Sequence, residues 1–176
     1  MKIKVEQEFD CNLDMLLRAR EERYKHLDKF PELKKVTIVA EEEDGETLRQ
    51  VRHISIAESM PAVLATVMPE GSQVLIETSE FSLKEHLHTF EVKPGGGLDI
   101  FHITGVSRYY GLDDGRAGRN YDIDIKSKAF LIGGVIEGAI ADIYRKNIEK
   151  DKTSISNFIK MLEEGDGSST ASQDPT

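Results

Sequence analysis

Histidine and arginine side chains recur in the strand-like middle of the chain, where they could act on a bound molecule. His88 and His102 are candidate general bases, and Arg52 is a candidate group for polarising a substrate oxygen. An acid–base pair of this kind needs an enclosed pocket, where its ionisation is perturbed. We therefore expect catalysis only if these side chains face a common cavity.

The segment His86-Leu87-His88 could also contribute to a metal site. Residues two apart in a regular strand project from the same face, so both imidazoles would point the same way. Glu91 would point to the opposite face, and the further histidine and glycine spacings of a β-barrel metal site are not found. We expect polar residues on a partly hydrated sheet face and predict no metal and no cofactor.

Arg52 alternates with Leu48 and Ile54 along one face of a predicted strand. If that face is concave, the guanidinium lies in a cavity and needs an anionic partner, from a ligand or from the chain. Alternatively, Arg52 lies at the sheet edge with its charge in water. Both interpretations stay open. The candidate carboxylate partners within the chain are Glu80, Asp122 and Asp124.

Two tyrosines are predicted to face inward. Tyr121 alternates with Ile123 and Ile125, and Tyr144 lies on the apolar stripe of the C-terminal segment. A buried tyrosine packs its ring and offers its hydroxyl to a ligand or, more commonly, to a backbone carbonyl. No nucleophile elbow, phosphate loop or dinucleotide fingerprint accompanies these residues.

Composition narrows the classes of partner. The 176 residues carry a net charge of −9 with a pI of about 5.1, and no basic stripe is present, so we predict no nucleic-acid binding. Cys11 is the single cysteine, which suits a reducing compartment. The sequence shows no signal-like or membrane-spanning apolar stretch. We expect a cytoplasmic chain that is not an integral membrane protein.

The elements that would position these side chains are read from hydrophobic periodicity. Asn12 is a predicted N-cap for an amphipathic helix of about three turns, which ends before Pro31. Gly-rich connections, such as Asp44-Gly45 and 95–97, favour antiparallel hairpins. The predicted strands cover 2–10, 36–43, 48–56, 73–81, 84–93, 98–110 and 119–129.

From Leu131 the apolar period changes to about 3.6, which predicts a long C-terminal helix. The pattern fades over 149–153, so the segment is either one helix, straight or kinked, or two consecutive helices. We expect Gly138 to allow a close approach of this helix to the sheet. The folded domain is predicted to cover residues 1–164, followed by a disordered tail over 165–176.

This element order predicts an α+β domain in which a curved antiparallel sheet of about seven strands wraps around the C-terminal helix. With its final helix carrying Gly133-Gly134-Val135-Ile136-Glu137-Gly138, the chain resembles the START-like (SRPBCC) superfamily of helix-grip proteins. It is most similar there to small bacterial members of uncharacterised function. The resemblance covers about residues 2–162 and implies a cavity with a hydrophobic ligand, without any catalytic residue.

Three functions follow as expectations. The first is the binding, sequestration or transport of a small hydrophobic or amphipathic molecule, lipid-like or aromatic, in the internal cavity. The second is a cyclase- or dehydratase-type enzyme on the same fold, and the third is a protein-interaction module with a filled core. The sequence favours a binding protein over an enzyme and leaves open whether the chain forms a homodimer. The predicted cavity-lining residues are Leu48, Arg52, Ile54, His102, Tyr121, Ile123, Ile136, Ile140 and Tyr144.

Overall fold

A computed structural model of the chain describes residues 1–70 and 72–167. Seven antiparallel strands form one sheet in the order β1-β7-β6-β5-β4-β3-β2. Every neighbouring pair apart from β1 and β7 is consecutive in sequence, and the connections are short except between β3 and β4, where residues 56–73 intervene. The strands are β1 Lys2–Phe9, β2 Val36–Glu43, β3 Thr47–Ser55, β4 Val74–Ser82, β5 Leu87–Pro94, β6 Phe101–Gly111 and β7 Ala117–Ser127.

Three α-helices accompany the sheet: α1 Leu13–Glu22, α2 Ala62–Ala65 and α3 Gly133–Gly167. The predicted cap of α1 is confirmed, because the Asn12 side chain accepts a hydrogen bond of 2.9 Å from the Met15 backbone N–H. Short 3-10 turns at Arg23–Lys25 and Pro31–Lys35 continue from α1 towards β2. These segments lie against one end of α3.

The helix α3 is one continuous element of 35 residues. Its first half buries Ile136, Ile140 and Ile148 against the sheet. Its second half buries Ile155 and Phe158 in a separate cluster with α1. The sequence interval over 149–153, where the apolar pattern fades, is a polar stretch of this helix and marks neither a break nor a second helix.

The sheet wraps around α3, which confirms the predicted helix-grip architecture. Alternation along the strands sends one side chain in two towards α3, as in β6, where Phe101, Ile103 and Tyr109 are buried. Gly105 on the same face lies under the ring of Phe90, its cross-strand partner, at a distance that leaves no room for a Cβ atom. Neither α3 nor the shorter described helices carry an apolar stretch sufficient to cross a bilayer.

The structure bears on two predictions about the C-terminal segment, one for Gly138 and one for the start of the tail. The expected close approach at Gly138 is wrong: a Cβ atom there would meet only Met1 Cε, at 3.9 Å, so the glycine is not required by packing on the sheet. The predicted tail begins at residue 165, whereas α3 runs to Gly167. Residues 168–176 lie outside the described part of the chain, so a disordered tail stays a prediction.

Candidate functional site

A cavity of about 260 Å³ lies between the concave face of the sheet and the middle of α3. It separates the two hydrophobic clusters of the interior, one around Val92 and Ile136 and one around Leu16 and Phe158. One side of its wall is apolar and comes from β3, β4, β5 and α3. These apolar side chains include Ile54, Ile56, Leu75, Phe90, Ile143 and Ile148.

The rest of the wall is unusually rich in arginine. Arg20 on α1, Arg23 in the following turn, Arg52 on β3 and Arg119 on β7 all line the cavity, and each is at most 9% exposed. Arginine is rarely buried without partners, because an isolated charge is strongly disfavoured away from water. The partners of these four side chains therefore define the site.

Asp151 of α3 pairs with two of the arginines. Its Oδ1 accepts a hydrogen bond from Arg23, and its Oδ2 accepts one of 2.8 Å from Arg119 Nη1. Burial alone would raise the pKa of the Asp151 carboxyl, but Arg23 and Arg119 outweigh that effect and hold the pKa at about 2. The carboxylate is therefore ionised at neutral pH and fixes α3 to both the turn after α1 and the sheet.

Gln7 of β1 completes the shell around Arg119. Its Oε1 accepts from Arg119 Nε and Nη2 at 3.2 and 2.6 Å, while its Nε2 donates to the Ile148 carbonyl at 3.2 Å. The guanidinium of Arg119 also lies 5.0 Å from the centre of the Tyr121 ring. Each of the three nitrogens of Arg119 thus donates to a protein oxygen, and we assign Arg119 a structural role.

Arg20 is also held by the protein. Its Nε donates to the Tyr109 hydroxyl at 3.1 Å, and its guanidinium pairs with Glu21 and lies 4.4 Å from the centre of the Phe81 ring. This arrangement positions α1 over the end of the sheet. Arg20 contributes positive charge to the cavity, although its own hydrogen bonds point to neighbouring side chains.

Arg52 is the least compensated of the four. Both its Nε and its Nη2 donate to one acceptor, Gln50 Oε1, at 3.1 and 2.5 Å, and no ion pair joins it to any described carboxylate. Gln50 is itself oriented by donating to Glu41 at 2.5 Å. The Nη1 group of Arg52 has no acceptor among the described residues.

Glu77 is the cross-strand neighbour of Arg52 and also lines the cavity. No hydrogen bond or ion pair joins its carboxyl group to another described residue. Burial raises the pKa of Glu77, and the positive charges of Arg52 and Arg20 offset part of that rise. Arg52 and Glu77 therefore place two incompletely satisfied charged groups side by side on the concave face.

His88 lies in the same cavity, 9% exposed, and its Nε2 has no hydrogen-bond partner within the described residues. Burial, followed by the positive charges of Arg20, Arg52 and Arg119, holds the pKa of His88 well below its ordinary value. The imidazole is neutral at pH 7. Arg23 Nε and Ser154 Oγ are further buried polar atoms without a partner in the described chain.

Some of the predicted lining residues reach the cavity and others do not. Arg52, Ile54, Tyr121 and Tyr144 are part of its wall. For Arg52, the structure overturns the sheet-edge interpretation, because the side chain is buried on the concave face. The predicted carboxylate partners of Arg52 are also wrong, because they lie on the convex face of the sheet: Glu80, Asp122 and Asp124.

The other predicted lining residues are buried in the packed interior or lie outside it. Leu48 belongs to the cluster beneath α1, and three isoleucines belong to the cluster beneath the first half of α3. His102 lies on the convex face, where its Nε2 is 3.2 Å from Glu91 Oε1, so it cannot act in the cavity. The three isoleucines are Ile123, Ile136 and Ile140.

The proposed strand pair of histidines is also corrected. His86 lies in the turn before β5, with a backbone φ of 53°, and therefore does not share a strand face with His88. Because the turn reverses the chain direction there, period-2 alternation does not apply to His86.

Sequence reasoning missed most of the charged residues of the cavity wall, among them Arg20, Arg23, Glu77, Arg119 and Asp151. Two signals were available. Arg119 precedes Tyr121 by two positions and so shares its inward face, and Arg20 and Arg23 follow Leu16 by four and seven positions along the buried stripe of α1. Asp151 gave no signal, because an acidic residue in a polar stretch of helix is ordinarily exposed.

Comparison with known proteins identifies a family and a fold. The profile of a family described as "Protein of unknown function (DUF2505)" matches residues 4–159. The chain is similar to the Zhui aromatase/cyclase from Streptomyces sp. R1128, with a TM-score of 0.60 and 14% identity over 91% of this chain and 93% of that one. Among proteins with curated descriptions, none matches the chain.

Two further crystal structures are similar. One is a START superfamily protein from Mycobacterium smegmatis, with a TM-score of 0.54 and 14% identity over 92% of this chain and 98% of that one. The other is a protein from Thermus thermophilus, with a TM-score of 0.59 and 12% identity over 92% of this chain and 99% of that one. These likenesses establish a START-like fold, and at such low identity they concern the fold alone.

Proposed function

Because the chain belongs to the DUF2505 family and has a START-like fold, we propose that it binds, sequesters or transports a small amphipathic molecule, lipid-like or aromatic, in the cavity between the sheet and α3. The observation that carries this proposal is the cavity itself, whose wall combines apolar side chains with charged and polar ones. Such cavities are the usual sites for small molecules.

The physical basis is burial combined with orientation. Removing apolar ligand surface from water contributes roughly 25 cal/mol per Å² before the costs of association. The polar groups beside Phe90 and Leu75 would fix which end of the ligand lies where. We also propose a cytoplasmic location, because a chain whose single cysteine is Cys11 suits a reducing compartment.

Native mass spectrometry followed by denaturing mass spectrometry tests the proposal on the purified chain. We expect a bound small molecule that is released on unfolding. Ile54→Trp should exclude it, because Ile54 lines the cavity, whereas His53→Trp, one residue away on the exposed face of β3, should retain it. Circular dichroism of both variants checks folding. Ligand retained by Ile54→Trp, or none recovered and no stabilisation by fatty acids or aromatic polyketides, would contradict the proposal.

A cyclase- or dehydratase-type enzyme is the second candidate, and the observation that favours it is the pair of unpartnered groups His88 and Glu77 among the described residues of one cavity. A neutral imidazole can accept a proton, and Arg52 can polarise an oxygen. The recovered molecule distinguishes the two functions. A ligand returned unaltered after incubation supports binding, whereas conversion that is lost in His88→Gln supports an enzyme.

A further inference from the structure

The cavity is positively charged although the chain as a whole carries −9. Its wall carries six cationic residues and three acidic ones, and one of the cations, Arg20, pairs with a further carboxylate, Glu21. The cationic residues are Arg20, Arg23, Lys35, Arg52, Arg119 and Lys150, and the acidic ones are Glu32, Glu77 and Asp151. Since a buried charge is costly unless it is paired, this excess of positive charge means that negative charge is missing from the site.

The place of the missing charge follows from the hydrogen bonds. Arg23 and Arg119 share Asp151, and Arg20 pairs with Glu21, so these three arginines have carboxylate partners. Arg52 has the neutral Gln50 as its hydrogen-bond acceptor and the Tyr24 ring 5.4 Å from its guanidinium carbon, and its Nη1 donates no hydrogen bond to any described residue. An anion beside Arg52 would therefore receive charge-assisted hydrogen bonds that the protein does not use.

Two further features favour an anion at this place. The buried Nε2 of His88 has no partner among the described residues, and an imidazole N–H there can donate to an oxyanion. Lys35 and Lys150 also line the cavity, and burial, followed by the charge of Lys150, lowers the pKa of Lys35. Two cations close together at this edge would attract an anionic ligand towards the opening.

Size and polarity define the rest of the ligand. A volume of about 260 Å³ corresponds to about nine waters, at about 30 Å³ each, or roughly ten non-hydrogen atoms. The apolar wall formed by Ile54, Leu75 and Phe90 adjoins Arg52 and would cover a short chain or ring. We propose, building on the function above, that the ligand is an amphipathic monocarboxylate whose carboxylate binds Arg52 and whose apolar part lies on this wall.

Isothermal titration calorimetry with sodium octanoate and octanamide tests this inference, because the two molecules share a chain and differ in charge. The protein is first freed of co-purified ligand on a hydrophobic resin. We expect octanoate to bind about tenfold more tightly than octanamide, or better. Arg52→Gln should remove that preference. Arg49→Gln, on the exposed face of the same strand, should keep it.

Glu77→Gln provides a second variant that is independent of Arg52. Removing the neighbouring carboxylate should tighten octanoate binding about fivefold or more, because a like charge no longer opposes the ligand. Equal affinity for octanoate and octanamide, a preference that survives Arg52→Gln, or no gain in Glu77→Gln would overturn the inference while leaving the cavity a binding site. If neither molecule nor any other tested ligand binds, the proposed function fails with it.

Discussion

At the level of single residues, the site is organised by one carboxylate. Asp151 lies between Arg23 and Arg119, and it links α3 to both the turn after α1 and β7. Paired buried charges are close to neutral for stability when they are complete, but removing one partner leaves the others uncompensated. The main contribution of Asp151 to stability is therefore the neutralisation of Arg23 and Arg119, and its hydrogen bonds contribute less.

Asp151→Asn should lower the free energy of unfolding by about 3–5 kcal/mol, because it leaves two buried guanidinium groups without a negative charge. Urea denaturation at pH 7 measures the change. Asp142→Asn is the matched control on the same helix, since Asp142 is largely exposed and pairs only with Arg145 among the described residues; we expect a change below about 1 kcal/mol. Equal effects of the two substitutions would contradict the role assigned to Asp151.

The same carboxylate predicts an acid-dependent loss of stability. The pKa of Asp151 is about 2 in the folded chain and 3.8 as its ordinary value, so its ionised form stabilises the fold fully above about pH 4. This contribution, about 2 kcal/mol, is lost as the pH falls from there towards 2. Unfolding measured at pH 5 and pH 2.5 should show a larger decrease for the natural chain than for Asp151→Asn. Parallel decreases would argue against a depressed pKa.

At the level of elements, the shape of the cavity depends on how β5 and β6 meet. Phe90 and Gly105 are cross-strand partners, and the absence of a side chain at Gly105 lets the Phe90 ring lie flat on the sheet beside the cavity. The shape of the cavity wall therefore depends here on a pair of residues from two strands. It does not follow from the hydrophobicity of either strand alone.

Gly105→Ala should destabilise the chain by about 1–3 kcal/mol and weaken ligand binding, because the new methyl group forces the Phe90 ring towards the cavity. Gly111→Ala, at the end of the same strand, is the control: no described atom lies within 4 Å of the position its Cβ would take. Thermal unfolding and titration with the same ligand measure both effects. A Gly105→Ala chain as stable as the control would show that the ring can move without cost.

At the level of the whole molecule, the interior is two packed clusters with a charged cavity between them. The cluster around Ile136 and the cluster around Phe158 are each closed by α3, and the polar stretch around Asp151 lies where α3 passes from one to the other. A ligand would connect the two clusters and be bound only by the folded chain. Binding and global stability are therefore linked.

Octanoate at one hundred times its dissociation constant should raise the free energy of unfolding by about 2.7 kcal/mol. For a chain of this length the midpoint of thermal unfolding should rise by roughly 5–10 °C. Differential scanning calorimetry checks the shift. The Ile54→Trp variant should show little or none, so an equal shift in that variant would indicate binding elsewhere on the surface.

The element order, the antiparallel sheet and the apolar stripe of the C-terminal segment could be predicted because they depend on local periodicity. Alternation placed Arg52 on the same face as Ile54 and predicted that Tyr121 faces inward, and the 3.6-residue period placed Tyr144 on the apolar stripe of α3. Whether the face of Arg52 is concave, and whether α3 is one helix, could not be decided from the sequence. The same reasoning gave the wrong face for His102. Both faces of β6 carry a mixture of polar and apolar residues, so the sequence pattern did not fix the register of that strand. A shift of one residue moves every side chain of a strand to the other side.

The charge of the cavity was decided only by the tertiary structure. Arg23 and Asp151 are 128 residues apart, and Arg119 and Asp151 are 32 apart, so no local pattern reports that they meet. Their proximity depends on how α1, β7 and α3 pack together. The sequence determines which faces are apolar, through interactions between near neighbours, whereas the set of charged groups that converges on the cavity depends on contacts between distant parts of the chain.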